Sequence, residues 1–260
     1  MANPYLSVVI PAYNESKRLP KTLLDVDRHL SKVEYAYEIL VVDDGSKDNT
    51  AEIVTKMSKD IRNLKLAHFD KNRGKGAVVK DGMLVAKGKI RIFMDADNAT
   101  TIDQFEHMRP LFEKEKCDVV IGSRAMKESR LEPPEPLIRQ IPGKMGNLFI
   151  QALLLPGLWD TQCGFKAFTD EAAEKVFKLS KISGWGFDIE ALALAKTLGF
   201  KIREIPVLWV NEAGSKVKAS AYLKVLVETV KIRVWLWTGK YDLPRKSEPN
   251  NPDEEFHLTN

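Results

Sequence analysis

The feature that most constrains this chain is a short apolar run that recurs and ends each time on a polar, acid-bearing segment. Leu6-Ser7-Val8-Val9-Ile10, Tyr37-Glu38-Ile39-Leu40-Val41-Val42 and Lys89-Ile90-Arg91-Ile92-Phe93-Met94 have this form. Near-continuous apolar runs of this length read as strands buried on both faces, the pattern of parallel sheets. Leu64 to Phe69 and Cys117 to Gly122 read as two more. Between them the spacing predicts helices. One follows a cap at Asn14, with Leu19, Leu23, Leu24 and Leu30 on its apolar side. Others run from Asp48 to about Ser58, from Gly74 to Lys87 and from Thr101 to Lys114. Strands alternating with helices imply parallel βαβ units in a doubly wound sheet. Ligands in such sheets collect beyond the carboxyl ends of the strands. Here those ends carry Pro11-Ala12-Tyr13-Asn14-Glu15, Asp43-Asp44-Gly45-Ser46 and Asp95-Ala96-Asp97.

After Gly122 the alternation stops. Pro133, Pro134 and Pro136 predict a loop over residues 124–140. A helix is expected over 141–158, a strand at Gly164–Phe168 and a helix at Asp188–Leu198. A strand at Ile202–Trp209 and a last helix from about Ala221 to Trp237 follow. The segment 244–260 is polar and rich in Pro, Asn and Glu, and is expected to be disordered.

With 260 residues, 44% of them hydrophobic, the chain suits one large domain. A formal net charge of +4 is too mild to argue for nucleic acid. Arg124, Lys127, Arg130, Arg139 and Lys144 form a local basic cluster, either an anion-binding wall or a solvated face. The two cysteines, Cys117 and Cys163, lack metal-ligand spacing and read as buried free thiols of a reducing compartment. No secretory signal and no apolar stretch long enough for a membrane span is read, so a cytoplasmic location is expected. Four scattered histidines support neither a zinc site nor a nucleophilic triad.

Chemistry is concentrated in a few segments. Asp95 and Asp97 can converge on one hard cation, which takes few protein carboxylates and completes its shell with water and phosphate oxygens. Asp43 and Asp44 can accept from a base N–H or ribose hydroxyls; an Asp-Gly turn is the local alternative. Asn72-Arg73-Gly74-Lys75-Gly76 suits an anion or a close backbone approach, without the spacing of a P-loop. Asp160-Thr161-Gln162-Cys163-Gly164-Phe165-Lys166 and Gly184-Trp185-Gly186-Phe187-Asp188-Ile189-Glu190 mix glycine, aromatic and acid as a sugar pocket would. For the second of these the alternative is core aromatics and a helix cap at Asp188.

Taken together these segments resemble the family 2 glycosyltransferases of GT-A fold. The likeness is carried by Val9–Glu15, Val42–Ser46, Asn72–Gly76 and Asp95–Asp97, in order over roughly residues 6–125. In the second half Gly122-Ser123-Arg124, Asp160–Lys166, Trp185–Glu190 and Gly214-Ser215-Lys216 are similar to the polyprenyl-phosphate sugar transferases. The segments from Asp95 to Thr100 and from Asp160 to Lys166 are most similar to the dolichyl-phosphate β-glucosyltransferases, with the mannosyl enzymes as siblings.

The resemblance implies a Rossmann-like nucleotide-sugar-binding fold, with a central, mostly parallel sheet flanked by helices. One catalytic domain would span 1–243, its donor half at about 5–123 and its acceptor half at about 124–243. It implies a UDP-glucose (or GDP-mannose) donor, Mg²⁺ or Mn²⁺, and a polyprenyl-phosphate acceptor. Pro11, Tyr13, Glu15, Asp43, Asp44, Lys75 and Ala96 would hold the nucleotide sugar, and Ser215 and Lys216 would close on its diphosphate. Asp95 and Asp97 would hold the metal. Arg124 and Arg139 would grip the acceptor phosphate, with Asp160, Gln162 and Trp185 nearby. Asp188 is a base candidate for a hydroxyl acceptor. The glucosyl enzymes carry a membrane-spanning segment ahead of the catalytic domain, and none is read here. A lipid acceptor is therefore expected to be reached by peripheral contact. The final helix, with Lys224, Lys231 and Arg233 beside Leu226, Val230, Trp235 and Trp237, would lie on a membrane, or pack on the domain or on a second subunit.

Overall fold

The structure is a computed structural model that describes residues 3–134, 137–210 and 219–243, the side chains of 137–142 and 219–221 apart. Its frame is one seven-stranded sheet with helices on both faces. The chain order begins β1 (Leu6–Ala12), α1 (Leu19–Leu30), β2 (Tyr37–Asp43), α2 (Thr50–Met57) and β3 (Leu64–His68). It continues α3 (Lys75–Val85), β4 (Ile90–Met94), a 3₁₀ turn (Ile102–Gln104), α4 (Phe105–Glu113) and β5 (Val119–Ser123). The second half is β6 (Arg130–Glu132), α5 (Leu137–Leu153), β7 (Phe165–Thr169), α6 (Asp170–Leu179), α7 (Phe187–Thr197), β8 (Ile202–Pro206), β9 (Leu208–Val210) and α8 (Ala219–Trp237).

The sheet order is β3-β2-β1-β4-β7-β5-β8, and all pairings are parallel except those of β7. The central strands are buried on both faces, which is why they read as unbroken apolar runs. Val8 and Ile10 pack under α1 and α4 with Leu23, Phe105 and Met108, while Val9 and Phe93 face α3 and α7 with Val79 and Phe187. Because β1, β2, β4 and β5 run the same way, their carboxyl ends share one rim. Antiparallel β7 starts at that rim, with Phe165 opposite Met94, and so brings Cys163 and Gly164 beside Asp95.

Several expectations change. Asn14 does not cap α1; it has φ +53° and bridges to the next loop, while Arg18 precedes the helix. Leu24 is exposed rather than buried. The segment 124–140 is not all loop: β6 pairs with β9 in a separate two-stranded sheet, and α5 begins at Leu137. The strand expected at Ile202–Trp209 is accordingly two, parted at Val207. Helix α6, unforeseen, is capped by the Thr169 hydroxyl accepting from the Ala172 amide. The segment 244–260 lies outside the described residues.

Candidate active site

Asp95 leaves the end of β4 with both its backbone and its side chain engaged. Its amide donates to the Gly164 carbonyl at 3.1 Å, and its Oδ1 accepts from Lys75 Nζ at 2.5 Å. Gly164 lies so close that a Cβ there would stand 2.1 Å from Asp95 Oδ2, so any larger residue would displace that carboxylate. Asp97 accepts from the Ala99 amide at 3.2 Å and lies 3.8 Å from the Arg18 guanidinium. Burial and the neighbouring Asp95 charge push the Asp97 carboxyl above its ordinary range. Two neighbouring carboxylates at one strand end are a donor set for a hard cation. Among the described residues no three His, Cys, Asp or Glu side chains gather into a closed cage. A cation here would take its other ligands from water and substrate phosphates, which fits Mg²⁺ or Mn²⁺. Ala96, between the two acids, is buried and accepts from the Thr22 hydroxyl at 2.7 Å.

Lys75 opens α3 because Gly74, at φ +96°, turns the chain against the Ser183 carbonyl. Burial opposes its charge, but Asp95 and Asp188 outweigh that and hold the ammonium above its ordinary value. Trp185 and Phe187 flank it, with Nζ 5.4 and 5.7 Å from the ring centroids. Several amides around this helix start are engaged within the chain. Arg73 and Gly74 donate to Asp44 at 2.7 and 3.0 Å, and Gly76 to Ser183 O at 2.9 Å. The close backbone approach read for Asn72–Gly76 is observed.

The neighbouring strand ends are organised by their own acids. Asp43 accepts from the Ser46 hydroxyl and meets His68 Nδ1 at 2.7 Å. Asp44, buried, is left above the ordinary carboxyl range by that burial despite the two amides. Pro11 is buried in β1, Tyr13 is exposed, and Glu15 pairs through both oxygens with Arg18 at 2.6 and 2.7 Å.

Across the rim, Arg124 follows β5 and grips Asp160 with Nε at 2.7 Å and a terminal nitrogen at 2.9 Å. Its guanidinium stacks 4.7 Å from the Trp209 ring centre. Burial works against the Asp160 charge, but Arg124 overrides it and holds the carboxyl below its ordinary range. Gln162 is exposed and its amide donates to Asp160. The Arg139 side chain, Ser215 and Lys216 lie outside the described residues.

Two groups escaped sequence reasoning. Lys166, fully buried on β7, reaches Asp188 Oδ1 at 2.6 Å. Burial lifts the Asp188 carboxyl above its ordinary range even against Lys166 and Lys75. Glu228, on α8, accepts from the Gly186 amide at 2.7 Å and so ties the Trp185 loop to the last helix. Glu190 holds the other end of that loop through the Lys181 and Ile182 amides and the Tyr241 hydroxyl.

The sheet gathers the acid-lined strand ends and the carboxylate pair at the end of β4 on one rim. The profile of the family described as Glycosyl transferase family 2 matches residues 7–177, and the chain belongs to that family. Its relatives narrow the class. The dolichyl-phosphate beta-glucosyltransferase of Dictyostelium discoideum is 40% identical over 243 residues, covering 89% of this chain and 74% of that protein. The dolichyl-phosphate beta-glucosyltransferase of Homo sapiens is 33% identical over 258 residues, covering 94% and 80%. Among solved structures, glucosyl-3-phosphoglycerate synthase from Mycobacterium tuberculosis, in complex with Mn²⁺, uridine diphosphate and glucosyl-3-phosphoglycerate, superposes with a TM-score of 0.64. That match has 19% identity and covers 94% of this chain and 82% of the other. At that identity the likeness speaks for the fold.

Proposed function

We propose that this protein transfers glucose from UDP-glucose to a polyprenyl, dolichyl-type phosphate with inversion at the anomeric carbon. The observation that carries the reading is the identity of 40% over 89% of the chain with a dolichyl-phosphate beta-glucosyltransferase. The rim geometry supports it. Asp95 and Asp97 would hold Mg²⁺ or Mn²⁺ with the donor diphosphate. The metal, when bound, stabilises charge on the leaving diphosphate.

The remaining work falls to the chain. Pro11, Tyr13, Glu15, Asp43, Asp44 and Ala96 border the nucleotide side, and Lys75 adds a cation beside Asp95. Ser215 and Lys216 are assigned to donor closure. Arg124, pre-set by Asp160 and Trp209, and Arg139 orient the acceptor phosphate, whose anion suits a planar guanidinium. Gln162 and Trp185 border the same space. A phosphate monoester has its second pKa near ~6, so it attacks without a strong base. This leaves Asp188 no proton to take, in keeping with its contact to buried Lys166.

The lipid would be met at a surface. Among the described residues no helix is long and apolar enough to cross a membrane. Helix α8 nevertheless turns Leu223, Val227, Val230, Val234 and Trp237 outward, Trp237 at 73% exposure, beside Lys224, Lys231 and Arg233. An apolar stripe edged with cations suits an anionic bilayer surface.

The test is incubation with labelled UDP-glucose or GDP-mannose, a short polyprenyl phosphate, and Mn²⁺ or Mg²⁺. Label from UDP-glucose in the organic phase supports the reading. Transfer from GDP-mannose instead moves it to the mannosyl class, and label confined to water-soluble product overturns the lipid acceptor.

A further inference from the structure

The buried Lys166–Asp188 pair is not explained by packing. Lys166 is 0% exposed and Asp188 4%. Ion pairs taken wholly out of water gain little over well-packed apolar residues of similar volume, and removing one side strands the other charge. What marks this pair is where its two hydrogen bonds lead. Lys166 Nζ donates to Cys163 O at 2.5 Å and to Asp188 Oδ1 at 2.6 Å. The next residue, Gly164, presents its carbonyl to the Asp95 amide at 3.1 Å and lies close against the Asp95 carboxylate. On the other side, Asp188 acts on the Lys75 charge, and Lys75 Nζ holds Asp95 Oδ1 at 2.5 Å.

We infer that Lys166 is a positioning residue that fixes Asp95 from two sides, its backbone through Cys163–Gly164 and its carboxylate through Asp188 and Lys75. The charges alternate from Lys166 to Asp188 to Lys75 to Asp95; the first and last pairs are direct contacts, and Asp188 acts on Lys75 through its field alone. Strand β7 makes this possible: its antiparallel insertion sets Lys166 opposite Phe93 of β4 and Ile121 of β5, under the rim. The inference rests on the reading that Asp95 holds the metal–diphosphate.

The experiment is Mn²⁺ titration of the full chain in the presence of UDP, by electron paramagnetic resonance or calorimetry, alongside thermal unfolding. The double variant Lys166→Met with Asp188→Leu removes both charges and leaves none stranded. It is expected to fold with a Tm near wild type while Mn²⁺–UDP affinity falls about tenfold or more, the loss typical when a partner that orients a metal ligand is removed. Wild-type affinity in the folded double variant overturns the inference. Should the double variant not fold, Asp188→Asn decides: it keeps the shape and still accepts from Lys166, but removes the charge acting on Lys75. A severalfold weaker Kd supports the relay, and an unchanged Kd overturns it. Asp95→Asn, run in parallel, separates the two readings. If it alone loses Mn²⁺–UDP, Lys166 is merely structural; if it too binds normally, the metal role of Asp95 falls instead.

Discussion

Replacing Gly164 by alanine drives a methyl group into the Asp95 carboxylate. The added Cβ would meet Oδ2 at 2.1 Å, Cγ at 2.4 Å and Oδ1 at 2.6 Å. Ordinary contact begins near 3.4 Å, so the carboxylate must retreat by roughly 1.3 Å or the backbone must part from β4. Such a retreat pulls the carboxylate from its contact with Lys75, while the Asp95 amide stays tied to Gly164 O. A misplacement of about 1 Å at a reacting site costs on the order of 100-fold in rate, and kcat/KM is expected to fall by about that factor. Stability should change far less. Overpacking costs about 1–3 kcal/mol, while a glycine outside the left-handed region returns about 0.4–1 kcal/mol through the unfolded chain. The net is a drop of a few degrees in Tm. Metal-dependent transfer and thermal unfolding are measured on the same preparation. A folded Gly164→Ala protein with wild-type kcat/KM would refute the claim that Asp95 must sit where it does.

Other expectations follow from the surrounding contacts. Glu228→Ala frees the Gly186 amide and loosens the Trp185 loop over Lys75, so the donor KM should rise severalfold with little change in the far-ultraviolet spectrum. Asp160 is held below its ordinary carboxyl range by Arg124. Its contribution to stability is therefore present above the unfolded-state value near ~3.9 and lost as pH falls through the lower folded value. Tm measured from pH 6 down to pH 3 should show Asp160→Asn well below wild type at the top of the range and converging with it at the bottom; a constant gap would contradict the pairing. Trp237→Ser with Val227→Ser should lower binding to anionic vesicles and turnover of a vesicle-borne acceptor, while Mn²⁺–UDP affinity stays at wild type. Loss of a dimer on gel filtration instead would make the α8 face a subunit contact.

How much of this was legible in the sequence depends on the range of the interaction. Strands β1, β2 and β4 were readable because both faces are buried, so apolar residues run on without alternation. The rim followed from their parallel order, and Asp95 and Asp97 with it. Asn14 misled because the residue that favours a cap also tolerates φ +53°, and here it spans to Lys47. Strands β6 and β9 are three residues each, too short to carry a period. Helix α6 did carry a signal, a capping Thr169 before Asp170 and Glu171, that was not used. The Lys166–Asp188 and Glu228–Gly186 contacts join residues 22 and 42 positions apart. They exist only because β7 inserts between β4 and β5 and α8 returns over α7, neither of which a local pattern encodes.

The central claim is that the carboxylate pair at the end of β4 carries the metal-dependent transfer. Its most direct test is the rate at which Asp97→Ala moves label from UDP-glucose to polyprenyl phosphate at saturating Mn²⁺, with folding checked by circular dichroism. If the pair holds the metal, several kcal/mol of transition-state stabilisation depend on it, and the rate should fall by at least about 100-fold in a protein that stays folded. Turnover within a factor of a few of wild type, with unchanged metal dependence, would contradict the account.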